Sequence, residues 1–178
     1  MKKYLFLAAL ISASLLTFPA DAAKISGFQE FGLTGGFYIG VVTGPGIGLN
    51  FGLDAGVPFE SFTFGVEVEQ LVTDADLDTN INATKFGGII RYQVIEDFIS
   101  IGAHAGVLGY MTSKDTSYHD TFSGKKIEIK GEEKNSGSYV AGSIDFKFGA
   151  LILTPKVSLL NIGKGYLPEI DLNVGARF

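Results

Sequence analysis

The chain contains no cysteine and no tryptophan, and only five prolines in 178 residues. Without cysteine there is no disulfide scaffold, no thiolate metal site and no residue for lipid attachment. Basic residues are also few, 14 against 19 acidic ones, and they form no cluster, which argues against a nucleic-acid partner. Beyond residue 22, no charge-free apolar run is long enough for a transmembrane helix. The mean hydropathy is nevertheless high for a soluble domain, so the apolar residues must follow another pattern.

The amino terminus has the three parts of a secretory signal peptide. Lys2 and Lys3 form a short basic region, residues 4–18 are largely apolar and uncharged, and Ala20-Asp21-Ala22 fits a small-x-small cleavage site. The apolar stretch is too short to span a membrane comfortably. We therefore expect a signal peptide over residues 1–22, and one domain of the remaining residues 23–178.

Eight segments of that domain alternate between apolar and polar residues. In one of them, Leu49, Phe51 and Leu53 are separated by Asn50 and Gly52. A period of two indicates a strand with one apolar and one polar face. The predicted strands cover residues 28–42, 47–59, 62–71, 84–95, 98–111, 138–148, 151–161 and 167–178. Pro155 would forfeit a ladder bond within the seventh, so we expect a bulge there or a later start.

The links between these strands alternate between short and generally longer. The second, fourth and sixth links are tight, the third and fifth are long, the seventh is intermediate, and the first is a short exception. This arrangement is typical of an antiparallel up-and-down transmembrane β-barrel with short periplasmic turns, longer outer loops and both chain ends in the periplasm. An even number of strands can close the sheet and so satisfy every backbone group in lipid. In the fifth link, Lys126–Lys130 alternates again, which fits a hairpin that protrudes from the membrane, with a mobile, solvated loop as the equal alternative.

The polar face carries charges of both signs among many glycines. Such a mixture suits the crowded interior of an eight-stranded barrel, whereas a soluble lipocalin-like barrel, with its apolar face inside, is the weaker interpretation. We predict a luminal charge network of Glu67, Glu69, Lys85, Arg91, Asp145, Lys156, Asp171 and Arg177. Aromatic residues collect at membrane interfaces. Those beside the tight turns predict a periplasmic aromatic girdle of Phe31, Phe59, Phe62, Tyr92, Phe98 and Phe148, with Tyr110, Tyr139 and Phe86 at the opposite rim.

The last predicted strand ends on an aromatic residue, Phe178. Together with the signal peptide and the eight strands, this ending resembles the small outer-membrane barrels of the OmpA/OmpX type. The resemblance implies a location in the lipid bilayer of the bacterial outer membrane. It also implies that Phe178 is part of the signal read by the barrel assembly machinery. That family includes structural barrels, narrow pores, adhesins and a few lipid-modifying enzymes, so the fold leaves the function open.

Sequence motifs for catalysis, cofactors or metal binding are not evident. His104 lies on the polar face with Ser100, but four residues along a strand separate them by about 13 Å, too far for a direct bond. His119 lies within a loop rich in polar residues. We therefore expect a non-enzymatic barrel that serves envelope structure or binds a host or envelope ligand through its outer loops. The alternatives are a narrow porin-like channel and a lipid A-modifying enzyme.

Overall fold

The structure, a computed structural model, describes residues 33–44, 47–73 and 81–177. The predicted signal peptide, Phe31 and Phe178 lie outside the described residues. Ten strands are present among those described: β1 (Thr34–Thr43), β2 (Gly48–Phe59), β3 (Phe62–Thr73), β4 (Ile81–Ile95), β5 (Ile99–Thr112), β6 (Thr116–His119), β7 (Lys126–Ile129), β8 (Asn135–Phe148), β9 (Leu151–Ile162) and β10 (Gly165–Arg177). The described residues contain no helix long and apolar enough to cross a membrane.

Eight of these strands form one closed antiparallel barrel. Each pairs with its neighbour in sequence order, apart from β6 and β7, and β1 closes the sheet against β10. The closing register runs from Gly36 opposite Arg177 to Thr43 opposite Ile170. The predicted all-β, up-and-down, eight-stranded barrel is therefore confirmed.

The two faces of each strand differ as the alternation predicts. In β3, Val66 and Val68 are 51% and 44% exposed, whereas Glu67 and Glu69 are 1% and 0% exposed. Apolar side chains thus cover the outside, and polar ones fill the inside. A strand of 12 residues, such as β3, is about 40 Å long and rises about 30 Å at a tilt near 40°. That height matches the hydrocarbon thickness of a bilayer.

Three tight turns define one end of the barrel, which we call the short-turn end. They connect β2 to β3, β4 to β5 and β8 to β9, and their tight backbones place Glu60, Asp97 and Gly149 at positive φ. The opposite end, the hairpin end, has a fourth tight link where an intermediate one was predicted. Gly163 and Lys164, at φ 57° and 73°, form a two-residue turn between β9 and β10. Positive φ at both central residues matches the strand twist, so this hairpin needs no longer loop.

Pro155 lies within an uninterrupted strand. β9 begins at Leu151, and Pro155 lies opposite Leu172 of β10. On the β8 side the register is the same before and after the proline, but the pairs opposite Thr154 and Pro155 are missing. Both predicted explanations, a bulge and a later start, are therefore wrong: the sheet keeps its register and loses pairing locally. A side-chain bond of 2.8 Å from Thr154 Oγ1 to Asp145 Oδ1 crosses this gap.

The fifth link folds back instead of protruding. It contains a separate two-stranded hairpin, β6–β7, in which Thr116 to His119 pair with Ile129 to Lys126. Tyr118 and Ile129 are buried against the barrel mouth at 6% and 4% exposure. The prediction of a protruding hairpin is wrong because these alternating apolar residues cover the lumen.

Candidate functional site

The barrel interior holds the side chains that could carry a function, and its hairpin end is closed by an apolar plug. Leu71, Leu160 and Ile162 are completely buried there. The plug comprises Val42, Leu71, Ile81, Ala83, Leu108, Tyr110, Tyr118, Ile129, Tyr139, Leu160, Ile162 and Leu167. Tyr110 and Tyr139 therefore point into the lumen, and their predicted place at the outer rim is wrong. Tyr110 lies an even number of residues from His104 on β5, and Tyr139 lies an even number from Ser143 on β8, so each faces inward with its neighbour. Phe86, in contrast, does face outward.

The hairpin is bonded to the rim of the barrel as well as packed on it. The backbone N–H of Tyr166 donates to Asp120 Oδ1 at 2.6 Å, and the N–H of Thr121 donates to the Tyr166 carbonyl at 3.0 Å. The Tyr118 hydroxyl donates to the Ile162 carbonyl. Hydrogen bonds from Ser123 and from Tyr166 hold the pKa of Asp120 below its usual value. Burial, with smaller contributions from nearby groups, raises the pKa of Tyr118 to about 12.

Beneath the plug lies a group of charges that we call the outer charge layer. It comprises Glu67, Glu69, Lys85, Lys156, Glu169 and Asp171, all at most 2% exposed. Lys85 Nζ lies 2.6 Å from Glu69 Oε1 and also contacts Glu169 Oε1. Lys156 Nζ lies 2.7 Å from Glu69 Oε2, which also accepts a hydrogen bond of 2.8 Å from Tyr38. Glu69 on β3 thus connects β1, β4 and β9.

Nearer the short-turn end lies an inner charge layer of Asp54, Arg91, Asp145 and Arg177. Arg91 lies 2.9 Å from Asp54 and 3.1 Å from Asp145. Arg177 lies 2.8 Å from Asp145 and 3.2 Å from Asp54. Each carboxylate therefore contacts both guanidinium groups, and the layer is balanced in charge. All eight residues predicted for the luminal network lie inside the barrel, in one layer or the other. Asp54, Glu169 and His104 also lie inside the barrel beside these residues but were not among the eight.

One predicted network residue, Asp171, has no ion-pair partner within 4 Å among the described residues. Its side chain is 1% exposed, and neither carboxylate oxygen has a hydrogen-bond partner there. The same holds for Glu169 Oε2, Asn173 Oδ1 and both polar atoms of Asn50. Sequence alternation placed these residues inside the barrel but carried no signal that they would be unpaired.

His104 has different neighbours from those considered in the sequence. Its Nε2 lies 2.9 Å from Ser143 Oγ on β8, and its Nδ1 lies 2.9 Å from Glu67 Oε2 on β3. A hydroxyl, an imidazole and a carboxylate in this order could activate a nucleophile. However, Ser143 and His104 are each 6% exposed, and both lie between the charge layers in the middle of the lumen. These contacts bring together side chains of three strands, β3, β5 and β8, inside the barrel. His119 instead lies exposed at the end of β6.

The predicted aromatic residues that are described gather at the short-turn end. Phe59, Phe62 and Phe148 are 64%, 41% and 56% exposed there. The Phe62 and Tyr92 rings lie 5.0 Å apart, and those of Phe98 and Phe148 lie 5.8 Å apart. Their outward orientation is what a membrane interface would require.

No protein-family model and no curated protein sequence matches this chain. Among solved structures it is similar to the N-terminal β-barrel domain of OprF from Pseudomonas aeruginosa. The identity is 9%, the match covers 83% of this chain and 98% of that one, and the TM-score is 0.54. It is also similar to the outer membrane protein Ail of Yersinia pestis, with 10% identity, 82% and 99% coverage and a TM-score of 0.53. The chain therefore has the fold of the small, eight-stranded outer-membrane barrels.

Proposed function

We propose that this protein is an integral protein of the bacterial outer membrane with a lumen closed to solutes, and that it serves envelope structure or surface interaction. The observation that supports this most directly is that apolar side chains face outward while polar and charged side chains fill the interior. Apolar residues cover the outside in a broad belt: Val41, Leu53, Val57, Phe64, Val66, Val68, Phe86, Ile90, Ile101, Val107, Val140, Ile144, Val157, Ile170 and Leu172. A belt of this extent would be unstable in water and is favourable in lipid.

The filled interior favours a closed barrel over the porin-like alternative. Solutes would have to pass the apolar plug, the hairpin above it and two layers of buried charged side chains. An eight-stranded barrel is just wide enough for its interior side chains to fill, so a lumen occupied in this way leaves little room for a solute path. In this proposal the surface hairpin and the neighbouring loops meet host or envelope ligands, and no residue has a catalytic role.

Two measurements test the proposal. Electrophoresis in SDS should give a compact, fast band before heating and a slower band after boiling, because a closed barrel resists SDS until it is heated. The purified protein in planar bilayers should give no steady channel conductance. A single unshifted band, together with recovery from the soluble periplasm, would contradict the membrane assignment. Stable single-channel openings would instead establish the narrow pore.

A further inference from the structure

The two charge layers differ in their balance. The inner layer has two carboxylates and two guanidinium groups, whereas the outer layer has four carboxylates and two ammonium groups. With all its carboxylates and ammonium groups ionised, the outer layer therefore carries two negative charges in excess. Such charges are strongly unfavourable in a lumen screened from water unless a counter-charge accompanies them.

The excess is concentrated at one place, beside Asp171. Carboxylate oxygens of Glu69, Glu169 and Asp171 all lie within 4.8 Å of one another. Glu69 is saturated by two lysines and Tyr38. Glu169 Oε2 and both oxygens of Asp171, in contrast, are buried with no hydrogen-bond partner among the described residues.

Two buried amides next to this cluster are also unsatisfied. Asn50 and Asn173 are 0% and 2% exposed, and the Oδ1 atoms of both lack a partner within the described part of the chain. Asn173 follows Asp171 by two residues on β10, so both side chains point to the same side of the strand. Both amide oxygens approach Gly40, where a Cβ would lie 2.0 Å from Asn173 Oδ1 and 2.6 Å from Asn50 Oδ1. The glycine therefore leaves room for these side chains inside the wall.

We propose that this part of the lumen binds one calcium ion. The ligands would be the carboxylates of Asp171 and Glu169 and the amide oxygens of Asn173 and Asn50. Uncharged and charged oxygens are the donors that Ca²⁺ prefers, and its irregular coordination suits a site built from two strands, β2 and β10, better than the octahedron that Mg²⁺ requires. A divalent ion also supplies the charge that the outer layer lacks. Because the plug closes the hairpin end, the ion enters while the barrel folds.

Refolding tests this proposal directly. The full chain is unfolded in urea with EDTA and refolded in detergent micelles, with either CaCl₂ or EDTA present. After gel filtration in calcium-free buffer, mass spectrometry of the calcium-refolded protein should give about one calcium ion per chain. The temperature at which the SDS-resistant band disappears should be several degrees higher than for the EDTA preparation, because the ion binds only the folded state.

Variants locate the ion. Asp171→Asn should lose both the calcium and the temperature difference. Asp97→Asn makes the same change at an exposed turn and should keep both. Asn173→Ala retains every charge and should lose most of the calcium. It keeps the assignment testable if Asp171→Asn fails to fold.

Two results would contradict the calcium site. Less than about a tenth of an ion per chain in the calcium-refolded wild type would overturn the proposal. Calcium that is retained in full by Asp171→Asn or by Asn173→Ala would place the ion elsewhere and overturn the assignment of these ligands.

Discussion

Lys85 is the residue on which the outer charge layer depends most. Its ammonium group is completely buried and contacts two carboxylates, Glu69 and Glu169, which are themselves 0% exposed. Removing one partner of a buried pair leaves uncompensated charge, which costs far more than the pair contributes. We expect Lys85→Met to lower the free energy of unfolding by about 3–5 kcal/mol in urea titrations of the micelle-bound protein.

A surface ion pair provides the control for this prediction. Lys126 and Glu128 lie 3.1 Å apart on the hairpin, but their side chains are 58% and 76% exposed. Water and salt screen such pairs, so Lys126→Met should change the unfolding free energy by less than about 1 kcal/mol. Equal effects of the two substitutions would mean that water reaches the outer layer.

For single residues, the sequence predicts which side of the sheet a side chain faces better than it predicts which residues that side chain contacts. Alternation with apolar neighbours shows that His104 and Asp171 face inward, because strand parity is a local property. Partners depend on the register between distant strands: Lys85 meets Glu169 across 84 residues. This is why His104 could be compared only with Ser100 on its own strand, whereas its partner Ser143 lies on β8. The unpaired state of Asp171 depends on the same long-range register.

At the scale of elements, the docking of the hairpin β6–β7 should depend on pH through Asp120. Its pKa is lowered in the folded protein from the ordinary value of 3.8, so docking is stabilised while the carboxylate is ionised. That contribution is complete above the ordinary pKa and is lost as the pH falls through the lower, folded value. Between pH 5 and pH 3, we therefore expect the Tyr166 amide, which donates to Asp120, to lose protection from hydrogen exchange relative to its intrinsic rate.

Asp120→Asn should abolish most of this pH dependence, because an amide side chain does not titrate in this range. Asp97→Asn, at an exposed turn, should leave it unchanged. Protection of Tyr166 that falls equally in all three proteins would assign the effect to other carboxylates.

The strands of the barrel were predictable from sequence, but the links at its hairpin end were less so. Strand periodicity extends over 10–15 residues, so small errors in the bounds do not alter the pattern. A link between strands has no repeating pattern that would tolerate such errors. The turn at Gly163 and Lys164 needs only two residues because both of them adopt positive φ. The fold-back of the hairpin depends on close contact between Ile127 and Gly165, where an added Cβ would lie 2.7 Å from the Ile127 side chain. Alternation in residues 126–130 indicates a strand, but it does not indicate where that strand packs.

At the scale of the whole molecule, the structure is a barrel with its polar groups inside and its apolar groups outside. The closed sheet leaves no free edge, which satisfies the backbone in lipid. Its two ends differ: one has three tight turns beside aromatic rings, and the other has the hairpin above an apolar plug. This asymmetry gives the molecule a direction in the membrane, which in our proposal places the short turns in the periplasm and the hairpin at the cell surface.

The absence of cysteine makes that orientation directly testable. Lys126 on the hairpin and Glu96 in a short turn are both exposed, so a cysteine at either position should be accessible to a reagent. With a membrane-impermeant maleimide, Lys126→Cys should be labelled on intact cells. Glu96→Cys should be labelled only after the outer membrane is permeabilised, and the unsubstituted protein should give no signal. Labelling of Glu96→Cys alone on intact cells would reverse the orientation, since the wall of a filled barrel gives the reagent no passage from one side to the other.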